Sequence, residues 1–562
     1  MWDLKITGGT VVDGTGAAPY RGDIAVQQGR IAAIGSDAEG PAARTLDANG
    51  QIVTPGFVDI HTHYDGQASW GERLSPSSNL GATTVVMGNC GVGFAPCRPG
   101  DRAALIELME GVEEIPDPVM AEGLPWNWES FPSYLDAIEA RARDIDVAVL
   151  FPHGPLRVFA MGQRALDREA ATDADLERMS ELLREGLAAG AVGFSTSRTL
   201  VHRTLAGVPV PTYDAATREL KILGENLRGD ARHVFQMIAD WKDADAEFDI
   251  LRHIGRETGA RGTFTLLIID SLPTLWREHL QRVESAQASG LDIRPQVLAR
   301  PLGIMMGLTG SMTPFAAHPT MRTLAEQPLE AQLLELAKPA VKAQILSEAP
   351  VQPHVFMKLF GHRFDIMYPM EDPPNYRPDP ADSVAARAER AGVTPQSWLY
   401  DYLLEDQGRA MIYMPSVNDS DHLPELLTHA HTLPALGDGG AHVGSICDAS
   451  ANIYLLSHWV RERGLLSIED AVRKITGDAA DLYGLTDRGR IETGLKADLN
   501  IIDLAQLSLS RPYMVRDLPA GGGRLHQEAK GLSATIVAGE PVYLNNEPTG
   551  ALPGALVRKG VS

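Results

Sequence analysis

The chain has 562 residues, 44% of them hydrophobic and 22% charged, an ordinary globular composition that excludes a disordered, collagenous or disulfide-framework protein. Fifty Lys+Arg against 73 Asp+Glu leave a net charge of -23, an acidic balance that argues against nucleic acid or an anionic membrane as partner. Cys90, Cys97 and Cys447 are too few for a disulfide scaffold and point to a reducing compartment.

The opening segment MWDLKITGGTVVDG alternates like a strand and lacks the apolar stretch of a signal peptide. No run of 18 apolar residues follows, so a soluble, cytoplasmic protein is expected. Short strands punctuated by turns continue to Pro55-Gly56. Beyond that point apolar strand-like runs (FVDIH, ATTVVMG, VAVLFPHG, AVGFSTS, ARHVFQM, GTFTLLII, LDIRPQVLA, TLPALGDGG) alternate with amphipathic stretches at 173–189, 214–227, 243–257 and 274–288. Thr172-Asp173 and Tyr213-Asp214 offer N-cap oxygens for the first two stretches. About eight such units predict a (β/α)8 TIM barrel over residues 55–485. Two proline-dense regions, 110–132 and 301–380, read as loop insertions, the first over the barrel mouth. Strand character returns in GRIETGLKADLNIIDL and ATIVAGEPVYLNN, so residues 1–54 plus 486–562 are expected to form a second, small β domain from both termini.

The most informative segment is GFVDIHTHYDGQ. Two residues apart on a strand, His61 and His63 point to one side, and at the C-terminal end of a barrel strand that side can be the interior. Two convergent imidazoles make half of a transition-metal site. Cys90 follows the strand ATTVVMG, where Gly88, Gly91 and Gly93 allow close backbone approach. A buried cysteine is most often a small apolar filler, but a thiolate beside imidazoles suits zinc. Asp438 lies in LGDGGAHVG at the end of the last predicted barrel strand, where a lone Asp ordinarily caps a turn.

Together these segments resemble the amidohydrolase superfamily, specifically its D-aminoacylase (N-acyl-D-amino-acid deacylase) group. TPGFVDIHTHYDGQ, MGNCGVGFAP, FPHGPLR, GAVGFSTS, GDGGAHVG and GRIETGLKADLNIID follow in that group's order over about residues 3 to 545. The resemblance implies a β-sandwich built from both termini beside a metal-bearing barrel, and hydrolysis of a linear amide in a small-molecule substrate by activated water. It makes His61, His63, Cys90 and Asp438 the metal ligands and Asp438 the proton shuttle that the chemistry needs, since attacking water must lose a proton and amide nitrogen must gain one. His153, Arg157 and His442 are the candidate substrate contacts, Arg157 because guanidinium matches a carboxylate bidentately. For His442 the roles of ligand, substrate contact and partner of a ligand stay open.

One departure is plain. The group carries ligand histidines on its fifth and sixth strands, whereas HVFQMIADW and GTFTLLIID have none at the matching places, and His233 opens its strand instead of ending it. Gln236 or Asp240 are the residues left to compensate; Met237 suits a hard cation poorly. One tightly held divalent metal, Zn2+, is therefore expected rather than two. Two other readings stand beside the deacylase: hydrolysis of a cyclic amide or another amide lacking a free carboxylate, and a non-catalytic scaffold on the same fold. The sequence leaves homo-oligomerisation open.

Overall fold

The computed structural model describes every residue except 230–232, 353–354, 419 and 561–562, and no side chain of 355, 356 or 359. The fold is TIM-barrel-like. Six parallel strands run in sequential order through one curled sheet: β1 (Phe57–Asp59), β2 (Ala82–Met87), β3 (Asp146–Pro152), β4 (Gly193–Arg198), β5 (Val234–Ala239) and β6 (Arg261–Phe264); a seventh, Leu556–Val557, pairs parallel with β3. β2 and β3 are buried at every residue, which is why they read as continuous apolar runs and not as alternating ones. A further parallel pair joins β7 (Gln296–Val297) to β8 (Leu433–Pro434). Isolated parallel bridges connect Thr265 with Gln296, and Thr62 with Gly439.

Helices return the chain between strands. Thr172 caps the helix Asp173–Ala188 by accepting from Asp175 N, as its sequence suggests. Asp214 does not cap the next one. That helix spans Thr217–Gly224, because the chain first turns at 212–215, where Ala215 N donates to the Thr212 carbonyl. Asp214 instead accepts from Arg168 Nε at 3.1 Å.

Both regions expected as loops hold more order than that. A twelve-residue helix, α1 (Arg102–Glu113), runs into the first from before residue 110, and Asp117–Gly123 follows within it. Leu105, Ile106, Leu108, Met109 and Val112 supply its buried stripe, a 3.6-residue periodicity that the neighbouring prolines and acidic residues obscure. The second runs on to residue 417. There Leu302–Gly307 pairs antiparallel with Met411–Val417, over a separate core that includes Met306, Phe315, Ile345, Leu399 and Ile412.

The two ends of the chain share a sheet. Ile52–Pro55 pairs antiparallel with Leu499–Ile502, which pairs with Leu532–Val537. Leu4, Ile6, Val26, Val53, Leu499 and Ile536 form one apolar cluster between this sheet and the N-terminal sheet containing Trp2–Thr7. Among the described residues no helix is long and apolar enough to cross a membrane.

Candidate metal centre

His61 and His63 leave the C-terminal end of β1 on the same side, and both are 2% exposed. Cys90 follows β2 through a turn in which Gly88 and Cys90 itself have positive φ. Gly91 has to be glycine on two counts: its φ is +67°, and a Cβ would sit 2.8 Å from the Thr196 Cα on β4. That close approach lets the turn tuck Cys90 toward β1. The donor atoms of His61, His63 and Cys90 all lie within 4.8 Å of one another. Asp438, just beyond β8, brings Oδ1 to 3.4 Å from His61 Nε2 and 3.7 Å from His63 Nε2. Its side chain is 15% exposed against 2–3% for the two histidines, so the carboxylate stands on the open side of the cluster.

The histidines are held from behind. His61 Nδ1 is 2.5 Å from Gln296 Oε1 on β7; an amide oxygen only accepts, so Nδ1 carries the proton and Nε2 turns its lone pair to the cluster. His63 Nδ1 lies 3.2 Å from Glu113 Oε1, the last residue of α1, within ion-pair reach though not aligned for a hydrogen bond. Glu113 Oε2 stands 3.9 Å from His442 Nε2, and Glu114 Oε2 is 3.6 Å from His442 Nδ1. His202, on the loop after β4, is anchored by Ser197 Oγ at 2.8 Å.

Electrostatics show what the pocket lacks. Burial, with His61 and His442 adding to it, holds His63 well below the usual histidine range, so its imidazole is neutral and able to donate a lone pair. Burial, then Glu113 and Asp438, pushes the Cys90 thiol far up. Burial also lifts Glu113 to about 8. For His442 burial opposes the charged form, but Glu114, Glu113 and Asp438 outweigh it and raise the ring to about 9. A soft thiol, two imidazoles and nearby carboxylates, buried together, fit a divalent cation, whose charge would ionise the thiol and stabilise the carboxylates.

His153 and Arg157 belong to another constellation. His153 contacts Thr196 Oγ1 and Glu219 Oε1, each at 2.9 Å. Arg157 Nη1 donates to both Glu219 oxygens at 2.6 Å, and Nη2 to the Glu169 carbonyl at 2.7 Å. Both residues are buried, and the carboxylate that this guanidinium grips is internal. On β5, Gln236 Oε1 accepts from the backbone N of Cys90 at 2.9 Å, so it supports the cysteine turn. Asp240 is engaged by Thr199 Oγ1 at 2.6 Å and the Leu200 N at 3.1 Å.

Residues 44–543 match the amidohydrolase family. The chain belongs to that family. Within it this amidohydrolase falls in the D-aminoacylase-like group. It is 30% identical to N-acyl-D-aspartate deacylase of Alcaligenes xylosoxydans xylosoxydans over 99% of this chain and 95% of that protein. It is also 30% identical to N-acyl-D-glutamate deacylase of the same organism, over 89% and 87%. The solved N-acyl-D-glutamate deacylase from Bordetella bronchiseptica, complexed with zinc and a phosphonate inhibitor, superposes with a TM-score of 0.66 at 25% identity over 99% of both chains. Sequence reasoning missed Glu113 and His202. The only signal for Glu113 was its place in a segment expected as a loop over the mouth.

Proposed function

We propose that this amidohydrolase hydrolyses the linear amide of an N-acyl-D-amino acid, using one zinc ion held by His61, His63, Cys90 and Asp438. When bound, the cation polarises the amide carbonyl and makes water a nucleophile near neutral pH. The chain's own residues do the rest. His61 and His63 present Nε2 because Gln296 and Glu113 occupy the Nδ1 side. Asp438 takes a proton from the attacking water and returns it to the nitrogen as the C–N bond breaks, leaving a carboxylate and an amine. Its half-buried position on the cluster's open side is the single observation that carries this role.

The architecture we infer around the site is a closed barrel over residues 55–485 and a composite β-sandwich of 1–54 plus 486–562. The Thr62–Gly439 bridge and the β7–β8 pairing support closure of the ring. The strand pairing of Ile52–Pro55 with Leu499–Ile502 supports the sandwich. Gln236 at the fifth strand, buried and turned to the Cys90 backbone, supports one metal rather than two.

A second reading is favoured by one observation. Arg157 and His153 both serve Glu219, so the expected carboxylate clamp is engaged internally, which suits an amide without a free carboxylate. The test is metal analysis of the purified protein beside a turnover screen of N-acyl-D-, N-acyl-L- and cyclic amides. Turnover of acyl-D-amino acids alone supports the first reading, and turnover confined to amides lacking a carboxylate supports the second.

A further inference from the structure

Glu113 is a buried carboxylate, 2% exposed, at the C-terminal end of α1, where the helix dipole disfavours an anion. A carboxylate there would need a compensating partner to carry its charge. Its Oε1 faces His63 Nδ1 at 3.2 Å, and among the described residues neither atom has a hydrogen-bond partner. Its backbone carbonyl accepts from His442 N at 2.5 Å, which ties the end of α1 to the loop beyond β8 that carries Asp438. α1 is itself docked at Gly111, where a Cβ would fall 2.4 Å from the Arg203 carbonyl and 2.5 Å from the Thr204 Cα. Glu113 therefore reaches the back of a cluster imidazole from a well-seated helix. The two histidines are backed differently: His61 by the neutral amide of Gln296, His63 by a carboxylate.

We infer that Glu113 is a positioning residue for the metal, accepting the Nδ1 proton of His63 so that Nε2 is fixed toward the cation, and that through it the inserted helix α1 sets the affinity of the site. A carboxyl oxygen accepting at Nδ1 fixes the tautomer, and when ionised it makes Nε2 a more basic ligand. This rests on reading His61, His63, Cys90 and Asp438 as the metal site.

The experiment measures zinc dissociation from the full-length wild type, Glu113→Gln and Glu113→Ala by competition with a chromogenic chelator, with the melting temperature of each metal-free protein alongside. Glu113→Gln keeps shape and an acceptor oxygen but removes the charge, and should weaken zinc roughly 10–100-fold while the metal-free protein melts as wild type does. Glu113→Ala should weaken it further; if that variant does not fold, Glu113→Gln carries the test. Zinc affinity unchanged within about threefold in the folded variants, on a scale where loss of such a partner costs tenfold or more, overturns the inference. So does a cobalt-substituted Glu113→Gln protein whose visible spectrum reports a lost ligand, since Glu113 would then bind the metal directly. A wild type that binds no zinc removes both readings, whereas tight wild-type binding with indifferent variants removes this one alone.

Discussion

Cys90 Sγ lies 3.4 Å from His61 Nε2, although 29 residues separate the two in sequence. The pairing of β1 with β2 produces this. Asp59 is in register with Val85, so the chain beyond each strand emerges at the same end of the sheet. His61 follows immediately, while Cys90 comes later and is folded back by the left-handed turn at Gly88–Gly91. The thiol then reaches the face on which the imidazoles stand.

The first expected outcome concerns metal. Elemental analysis of the purified protein should give a zinc-to-chain ratio near one, and His61→Ala and His63→Ala should each lose both metal and turnover, because a tetrahedral site deprived of one imidazole binds far more weakly. Full metal and full activity in either variant would place the site elsewhere, and a ratio near two would overturn the single-metal reading.

Asp438→Asn tests the proton shuttle. The amide keeps shape and some ligand capacity but accepts no proton, so turnover should fall by about 10²–10⁴-fold with the fold intact. Metal content is measured on the same sample to separate chemistry from ligand loss. A metal-replete Asn variant losing less than about tenfold, with the chemical step limiting, would move the role to another residue.

Arg157→Met should act on stability. It would leave Glu219 buried without its guanidinium, and removing one partner of a buried pair costs about 3–5 kcal/mol. The melting temperature should drop while KM for an acyl amino acid holds. A raised KM at unchanged melting temperature would instead restore Arg157 as the substrate's clamp.

Acid stability should depend on His279. This ring is buried against Trp241 and Phe264, neither of its nitrogens has a hydrogen-bond partner among the described residues, and burial, with Arg282 second, lowers it from 6.5 to about 3. The folded state therefore binds fewer protons than the unfolded state between those values. Its contribution is intact above pH 6.5 and is lost as the pH falls toward 3, amounting to about 2 kcal/mol by pH 5. His279→Phe should melt with a shallower pH dependence between 7 and 5; an unchanged slope would mean the ring is not the acid-sensitive group.

Much of the fold was legible because strands buried on both faces read as apolar runs and alternate with helices, and the Thr172 cap and the second strand motifs from GRIETG onward are local signals. Tyr213-Asp214 misled, since a capping sequence says nothing of a turn imposed by Thr212 donating to the Ser197 carbonyl on β4. The 110–132 and 301–380 regions misled in the same direction. Proline density suggests loops, yet each region buries apolar side chains in a core, Val119 and Met120 in the first and Phe315, Ile345 and Met367 in the second.

The sequence by itself determined the family, the kinds of donor present, and the absence of histidine from the fifth and sixth strand ends, because these are properties of residue type and local order. Only the tertiary structure decided which side chains meet. Arg157 and His153 turn to Glu219, Gln236 turns to the Cys90 backbone, and Glu113 arrives behind His63 from a helix fifty residues downstream. Partner choice of this kind depends on how buried charges find compensation across the packed interior, and burial of that sort is set by the whole fold rather than by any one segment.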